Sequence, residues 1–160
     1  MNGITIRQIT DETEINAAIS LVLMIFEDTT AKIFDESGRQ QFISFIRSET
    51  VQESVKSGES VMYGAFDGDV PVGVITFRNR RHISLLFVSP GYHRRGIASA
   101  LLDTVKKNAC FIITVNAAPT GCPFYKAMGF RPFSRERNSN GLISTKMFIF
   151  NTSKRHKDRK

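Results

Sequence analysis

The sequence predicts one α/β domain, built on a mixed central sheet of about seven strands with helices on both faces. Three observations carry this. Strand and helix periodicities alternate in the order β-α-α-β-β-β-α-β-α-β-β. The stretch from Ser84 to Lys107 is a strand-loop-helix unit: apolar Leu85-Leu86-Phe87-Val88, then a basic loop, then Ile97, Ala98, Leu101, Leu102 and Val105 at helical spacing. The third is length, since 160 residues suit a single hydrophobic core. The expected boundaries are a domain over residues 1–150 and a basic, disordered tail over 151–160.

Taken in order, Ile4 to Arg7 reads as a strand. Asp11 with Glu14 three residues on is a capping box, and Ile15, Ala18, Ile19, Val22 and Phe26 mark the buried face of a helix to Asp28. A second helix is expected from Ser37 to about Thr50, with Gly58 closing the helical region. Val61 to Phe66 and Val70 to Arg78 are strands joined at Asp67-Gly68, and Asn79-Arg80-Arg81 turns into a strand from His82 to Val88. Alternation there would put His82, Ser84, Leu86 and Val88 on one face and Ile83, Leu85 and Phe87 on the other. Phe111 to Val115 is a strand. Pro119 and Pro123 fit the first turn of a helix to about Met128, with Gly129 after it. Arg131 to Glu136 and Leu142 to Phe150 complete the sheet through Asn140-Gly141, a hairpin signal.

Composition is that of a globular protein, with 41% apolar residues and no signal-peptide pattern. The N-terminal apolar run from Leu21 to Phe26 is far too short to span a membrane. Cys110 and Cys122 have neither CxxC spacing nor a neighbouring histidine, which argues against a metal site and fits a reducing, cytoplasmic setting. More than half of the net charge of +7 sits in the last ten residues, where five cationic side chains face Asp158 alone. Arg78, Arg80, Arg81, Arg94 and Arg95 form a second basic cluster in sequence.

The loop Tyr92-His93-Arg94-Arg95-Gly96 opens directly into a helix. A helix start presents unpaired N–H groups and a partial positive charge, so with two arginines beside it the turn is an anion site. Gly96 and Ala98 leave room for a bulky anion to approach the main chain. The spacing matches neither a GxxxxGK[ST] P-loop nor a GxGxxG dinucleotide turn.

The string His93-Arg94-Arg95-Gly96-Ile97-Ala98 resembles the Q/R-x-x-G-x-G/A pyrophosphate loop of the GNAT superfamily of acyl-CoA-dependent N-acyltransferases, with His93 standing where Gln or Arg is usual. The element order resembles that of the same fold. So does Asn116, followed by Phe124-Tyr125-Lys126-Ala127-Met128-Gly129-Phe130, which is similar to the family's N-x-x-x…F-Y-x-x-x-G-F segment.

The resemblance implies a splayed central strand pair and acetyl-CoA as cosubstrate, with no metal. It implies pyrophosphate held by His93, Arg94, Arg95, Gly96, Ile97, Ala98 and Ser99, and main-chain contacts to the pantetheine arm from Phe87 and Val88. Asn116 is implied as a further coenzyme contact and Tyr125 as the general acid. Tyrosine titrates near ~10 and a thiol near ~8.5, so a phenol that is still neutral at working pH can hydrogen-bond to or protonate a leaving sulfur. Where many members carry a glutamate base, this chain has His82. Histidine can accept a proton from an amine, or serve as a strand-start residue bonded to Asn79 or Ser84.

The expected partner is a small-molecule or protein amine, with no membrane. The exposed final strand would support a homodimer. Glu27, Asp28, Asp35 and Glu36 flank the region that often lines the acceptor pocket. Two other functions fit parts of the chain: an acyl-CoA sensor without turnover, and a nucleic-acid-binding module using the tail and the arginine cluster. The strand-to-helix basic loop fits the second poorly, because no recognition-helix or aromatic-sheet pattern accompanies it.

Overall fold

The computed structural model describes residues 2–47 and 49–154. Strands β1 (Ile4–Ile9), β2 (Ser60–Asp67), β3 (Val70–Arg78), β4 (His82–Val88), β5 (Ile112–Ala117), β6 (Arg131–Pro132), β7 (Arg137–Ser139) and β8 (Leu142–Phe150) form the sheet. The helices are α1 (Glu12–Asp28), α2 (Glu36–Arg47), α3 (Glu49–Ser57), α4 (Ile97–Lys106) and α5 (Cys122–Ala127). The sheet order is β1-β2-β3-β4-β5-β8-β6, with β7 pairing β8. Neighbours are antiparallel except β4 and β5, which are parallel.

Local sequence explains most of these elements. Asp11 caps α1 by accepting from the Glu14 N–H, and the predicted face of α1 is buried, with Leu21 and Ile25 added to it. The single helix expected to Thr50 is two helices, the second running to Ser57. Gly58, at φ +84°, closes it by turning its N–H back to the Val55 carbonyl. Pro123 lies in the first turn of α5, but Pro119 lies in the turn before it.

Two cores form, one on each face. Ile97, Leu101, Leu102 and Val105 of α4 pack with Ile113, Val115, Tyr125, Phe130 and Met147. Ile15, Ala18, Ile19 and Val22 of α1 pack with Met62, Phe66, Val74 and Leu85. The expected alternation along β4 fails. Opposite β3, Leu85 pairs Thr76 and Ile83 pairs Phe77, so Ser84 is an extra residue and a β-bulge. Ile83 therefore enters the α4 core and Leu85 the α1 core, although they are two apart.

The segment expected as one strand from Arg131 to Glu136 splits into β6 and β7. Pro132 carries no N–H, and the Ser134 hydroxyl takes the Lys146 N–H at 3.1 Å in place of a main-chain carbonyl. Both pieces lie along β8, whose other side pairs β5. The final strand is thus interior to the sheet and offers no edge for the dimer expected of it. Asn151, assigned to the tail, is buried, with its side-chain amide donating to the Lys106 carbonyl at 2.9 Å. The rest of that tail from residue 155 lies outside the described residues.

One contact reaches across the fold. Asn140 and Gly141, both at positive φ, turn β7 into β8. The tip rests on the start of α2, where Ser37 Oγ donates to the Asn140 carbonyl at 3.1 Å. A Cβ placed on Gly38 would collide with the Gly141 carbonyl, whereas one on Gly91 would meet nothing within 4 Å. Gly38→Ala should therefore lower the thermal midpoint by about 3–10 °C, the scale of overpacking by 1–3 kcal/mol in a domain this size. Gly91→Ala, melted alongside it by circular dichroism, should stay within about 1 °C of the parent.

Candidate active site at a split in the sheet

The parallel pairing of β4 and β5 is confined, among the described residues, to His82 with Thr114 and Ile83 with Val115. Beyond Ile83 the strands part. Main-chain groups on that side of β4 follow from the register with β3. The Ser89 N–H donates to the Val72 carbonyl at 2.8 Å, so the ladder alternation turns the amide and carbonyl of Val88 toward the split. Those of Phe87 turn the other way, to Val74, so Phe87 presents its ring to the split rather than its main chain. The Val88 carbonyl accepts from His93 Nε2–H at 2.8 Å, which ties the loop back to the strand end.

A cavity of about 650 Å³ occupies the split. Val88, His93, Asn116 and Tyr125 line it, and so do His82, Phe26, Phe34, Phe42 and Leu142. Tyr125 belongs to the α4 core, while Phe42 packs on the α1 core. The cavity therefore passes through the sheet from one face to the other.

At the His93 end the loop is exposed. Arg94 (φ 61°) and Gly96 (φ 76°) are left-handed, and α4 starts at Ile97. The first helical bond here runs from the Ala100 N–H to the Gly96 carbonyl at 3.0 Å, leaving the N–H groups of Ile97, Ala98 and Ser99 ahead of the ladder. Ile97 is buried, so what it offers is its amide. Arg95 lies over the Tyr92 ring at 4.8 Å, and the Tyr92 hydroxyl donates to Asp67 at 2.7 Å. The arginine cluster seen in sequence does not survive folding. Arg78, Arg80 and Arg81 sit at the far end of β4 from Arg94 and Arg95, about 20 Å away at ~3.3 Å per strand residue.

Besides Arg78 and His93, the titratable side chains lining the cavity among the described residues are Tyr125 and His82. Tyr125 is 6% exposed, wedged between Phe124 and Phe130. Burial, with a smaller push from Cys122, raises its hydroxyl well above the ordinary value, so it is a neutral phenol throughout the physiological range. His82 is half-buried. Its Nδ1 bonds Thr114 Oγ1 at 2.8 Å, not the Asn79 or Ser84 expected from sequence. Burial first, then the positive charges of Arg78 and Lys146, lower its pKa below 6.5. It is therefore a neutral imidazole at pH 7, able to accept a proton.

Sequence reasoning missed Thr114, Lys146 and the bulge at Ser84, all of which depend on strand register. Of the acids noted near the acceptor region, Asp35 caps α2 through the Gly38 N–H at 2.8 Å, and Glu27 pairs with Arg39 at 2.6 Å. Glu36 holds Arg39 and Gln40.

Residues 28–149 match the family described as acetyltransferase (GNAT) domain. An uncharacterized N-acetyltransferase of Escherichia coli, YafP, is 35% identical over 98 residues, 61% of this chain and 64% of that protein's length. The fold is similar to a GCN5-related N-acetyltransferase from Rhodopseudomonas palustris, at TM-score 0.79 and 24% identity over 94% of this chain and 97% of that one. It is also similar to the PaiA N-acetyltransferase of Thermoplasma acidophilum, solved with coenzyme A, at TM-score 0.72 and 19% identity over 92% and 98%.

The His82 environment yields a direct test. Its ring signals, followed by NMR, should titrate with a midpoint below 6.5. Arg78→Gln removes a positive neighbour that disfavours the imidazolium, so the midpoint should rise in that variant while burial keeps it from exceeding 6.5.

Proposed function

Because the chain belongs to the GNAT acetyltransferase family, we propose that it is an N-acetyltransferase moving an acetyl group from acetyl-CoA to a primary amine by direct attack. The observation that carries this reading is the cavity through the split sheet, which joins the open turn at His93 to Tyr125 and His82. The turn suits the coenzyme's diphosphate on its own geometry. It is exposed, a Cβ at Gly96 or Gly91 would meet no atom within 4 Å, and amide hydrogens precede the first helical bond.

Acetyl-CoA, when bound, supplies a thioester whose acyl carbon–sulfur bond breaks as a carbon–nitrogen bond to the amine forms. The amides from Arg94 to Ser99, with the charges of Arg94 and Arg95, hold the diphosphate. Asn116 and the split-facing main chain of Val88 hold the pantetheine arm. The Val88 N–H donates to the carbonyl oxygen as negative charge develops there. His82 Nε2, with Nδ1 engaged by Thr114, takes the proton lost by the amine, directly or through water. The Tyr125 hydroxyl gives its proton to the departing sulfur. The amine's proton ends on His82 and the sulfur's comes from Tyr125, so exchange with solvent takes a proton from His82 and returns one to Tyr125 before the next turnover. The coenzyme A bound to the PaiA protein, which shares this fold, supports the cosubstrate assignment.

Tyr125→Phe should lower kcat by about 10²-fold while leaving the melting-temperature shift from acetyl-CoA nearly intact. Unchanged kcat at saturating substrate removes Tyr125 from the reaction. Adenosine should not reproduce the shift, because it lacks the diphosphate. A protein that acetyl-CoA stabilises but that acetylates no amine would be the sensor instead.

A further inference from the structure

The walls of the acceptor half of the cavity have a consistent chemistry. Phe26 and Phe42 stack at 4.0 Å, Phe34 stands 6.0 Å from Phe26, and Phe87 stands 5.9 Å from Phe42. These rings carry an apolar wall from α1 across α2 to β4, one residue short of Val88. Leu142 and Ile143 face the same space from β8, and the hairpin tip at Asn140-Gly141 is anchored on α2 beside them.

Charge is distributed just as consistently. Among the described residues lining the cavity there is no carboxylate, while Arg78 and His82 line it and Lys146 acts on His82. Of the acids near it in sequence, Asp28, next to the lining residue Thr29, is exposed and does not line the cavity, and three others are engaged elsewhere. Asp35 caps α2, Glu27 is paired with Arg39, and Glu36 is shared between Arg39 and Gln40. An acceptor with several ammonium groups would give up its water here, meet positive charge, and find no anion to replace the water. An amine on a hydrocarbon body finds apolar surface matched to it, and its single nitrogen meets a neutral imidazole.

We propose that the acceptor is an apolar monoamine: one amino group on an aryl or alkyl body that packs against Phe26, Phe34, Phe42 and Leu142, with no second cationic group. This rests on the acyl-transfer reading of the site and adds the substrate class to it. Polyamines and aminoglycosides are excluded by the same wall.

The test reads binding and turnover separately. Purified protein saturated with coenzyme A is titrated with phenethylamine, hexylamine, spermidine and kanamycin by calorimetry, and thiol release from acetyl-CoA is followed with the same four amines. Phenethylamine or hexylamine should bind at least about 10-fold more tightly than spermidine or kanamycin and, where turnover occurs, show the higher kcat/KM. Phe34→Asp, which puts a carboxylate into a half-buried part of the wall, should raise KM for phenethylamine about 10-fold without changing KM for acetyl-CoA. It should also narrow the gap to spermidine. Preference for spermidine or kanamycin in the parent protein, or no measurable binding of either apolar amine, overturns the proposal. Tight phenethylamine binding with no acetylation of any amine upholds the binding class and sinks acyl transfer, so the two readings fail separately.

Discussion

The parting of β4 from β5 is the constraint on which the rest of the site depends. Two adjacent strands in a sheet ordinarily satisfy each other's main chain along their whole length, and a buried unpaired amide is destabilising. Here the near end is held firmly. Besides the two register pairs, the Cys110 N–H reaches the Arg80 carbonyl at 2.7 Å and the Thr114 N–H reaches the Arg81 carbonyl at 2.9 Å. His82 and Thr114 add a side-chain bond at the same level. Past that clamp each strand has its own partner: β3 and α4 hold β4, and β8 holds β5. The split thus stays open because each side is secured elsewhere, and the Val88 main chain turned into it is left for a ligand or, in the case of its carbonyl, for His93.

The bulge at Ser84 is the second device. By adding one residue to β4 it sends Ile83 to the α4 core and Leu85 to the α1 core. It also resets the phase of the strand between His82 and Val88. The two ends of β4 can then serve opposite needs, an imidazole bonded across to β5 at one end and a free main chain at the other. A regular strand would have tied those two orientations together by simple alternation.

How much of this was legible in sequence follows from how local each feature is. The strand-loop-helix unit, the Asp11 cap, the Gly58 stop and the Asn140-Gly141 turn are written in adjacent residues, and all four stand in the structure. Of the residues singled out as a site, Tyr125, His82, Phe87, Val88, His93 and Asn116 line one cavity, and the loop from Arg94 to Ser99 adjoins it. What failed was every inference that used nearness in the chain as nearness in space, or periodicity through a register shift. The five arginines split between opposite ends of one strand. The last strand gained two short partners because Pro132 and Ser134 interrupt the segment before it. Thr114 could not be paired with His82 from sequence, since parallel register is set by packing some thirty residues away.

The electrostatics of the cavity close the argument. His82 and Tyr125 are held in their uncharged forms by the same cause, burial, and Arg78 and Lys146 push His82 further in that direction. Direct attack on a thioester needs a nitrogen with a free lone pair, hence a neutral amine. In the proposed reaction a neutral imidazole of lowered pKa is a weak base toward an alkylammonium that titrates near ~10, so such a site would gain most from an amine that sheds its proton on leaving bulk water. An apolar, acid-free wall favours that loss, because it stabilises the hydrocarbon body and does nothing for the cation. A carboxylate there would hold the ammonium in its unreactive form. At the α1–α2 corner, Glu27 and Glu36 pair with Arg39 and Asp28 is exposed, and none of the three lines the cavity.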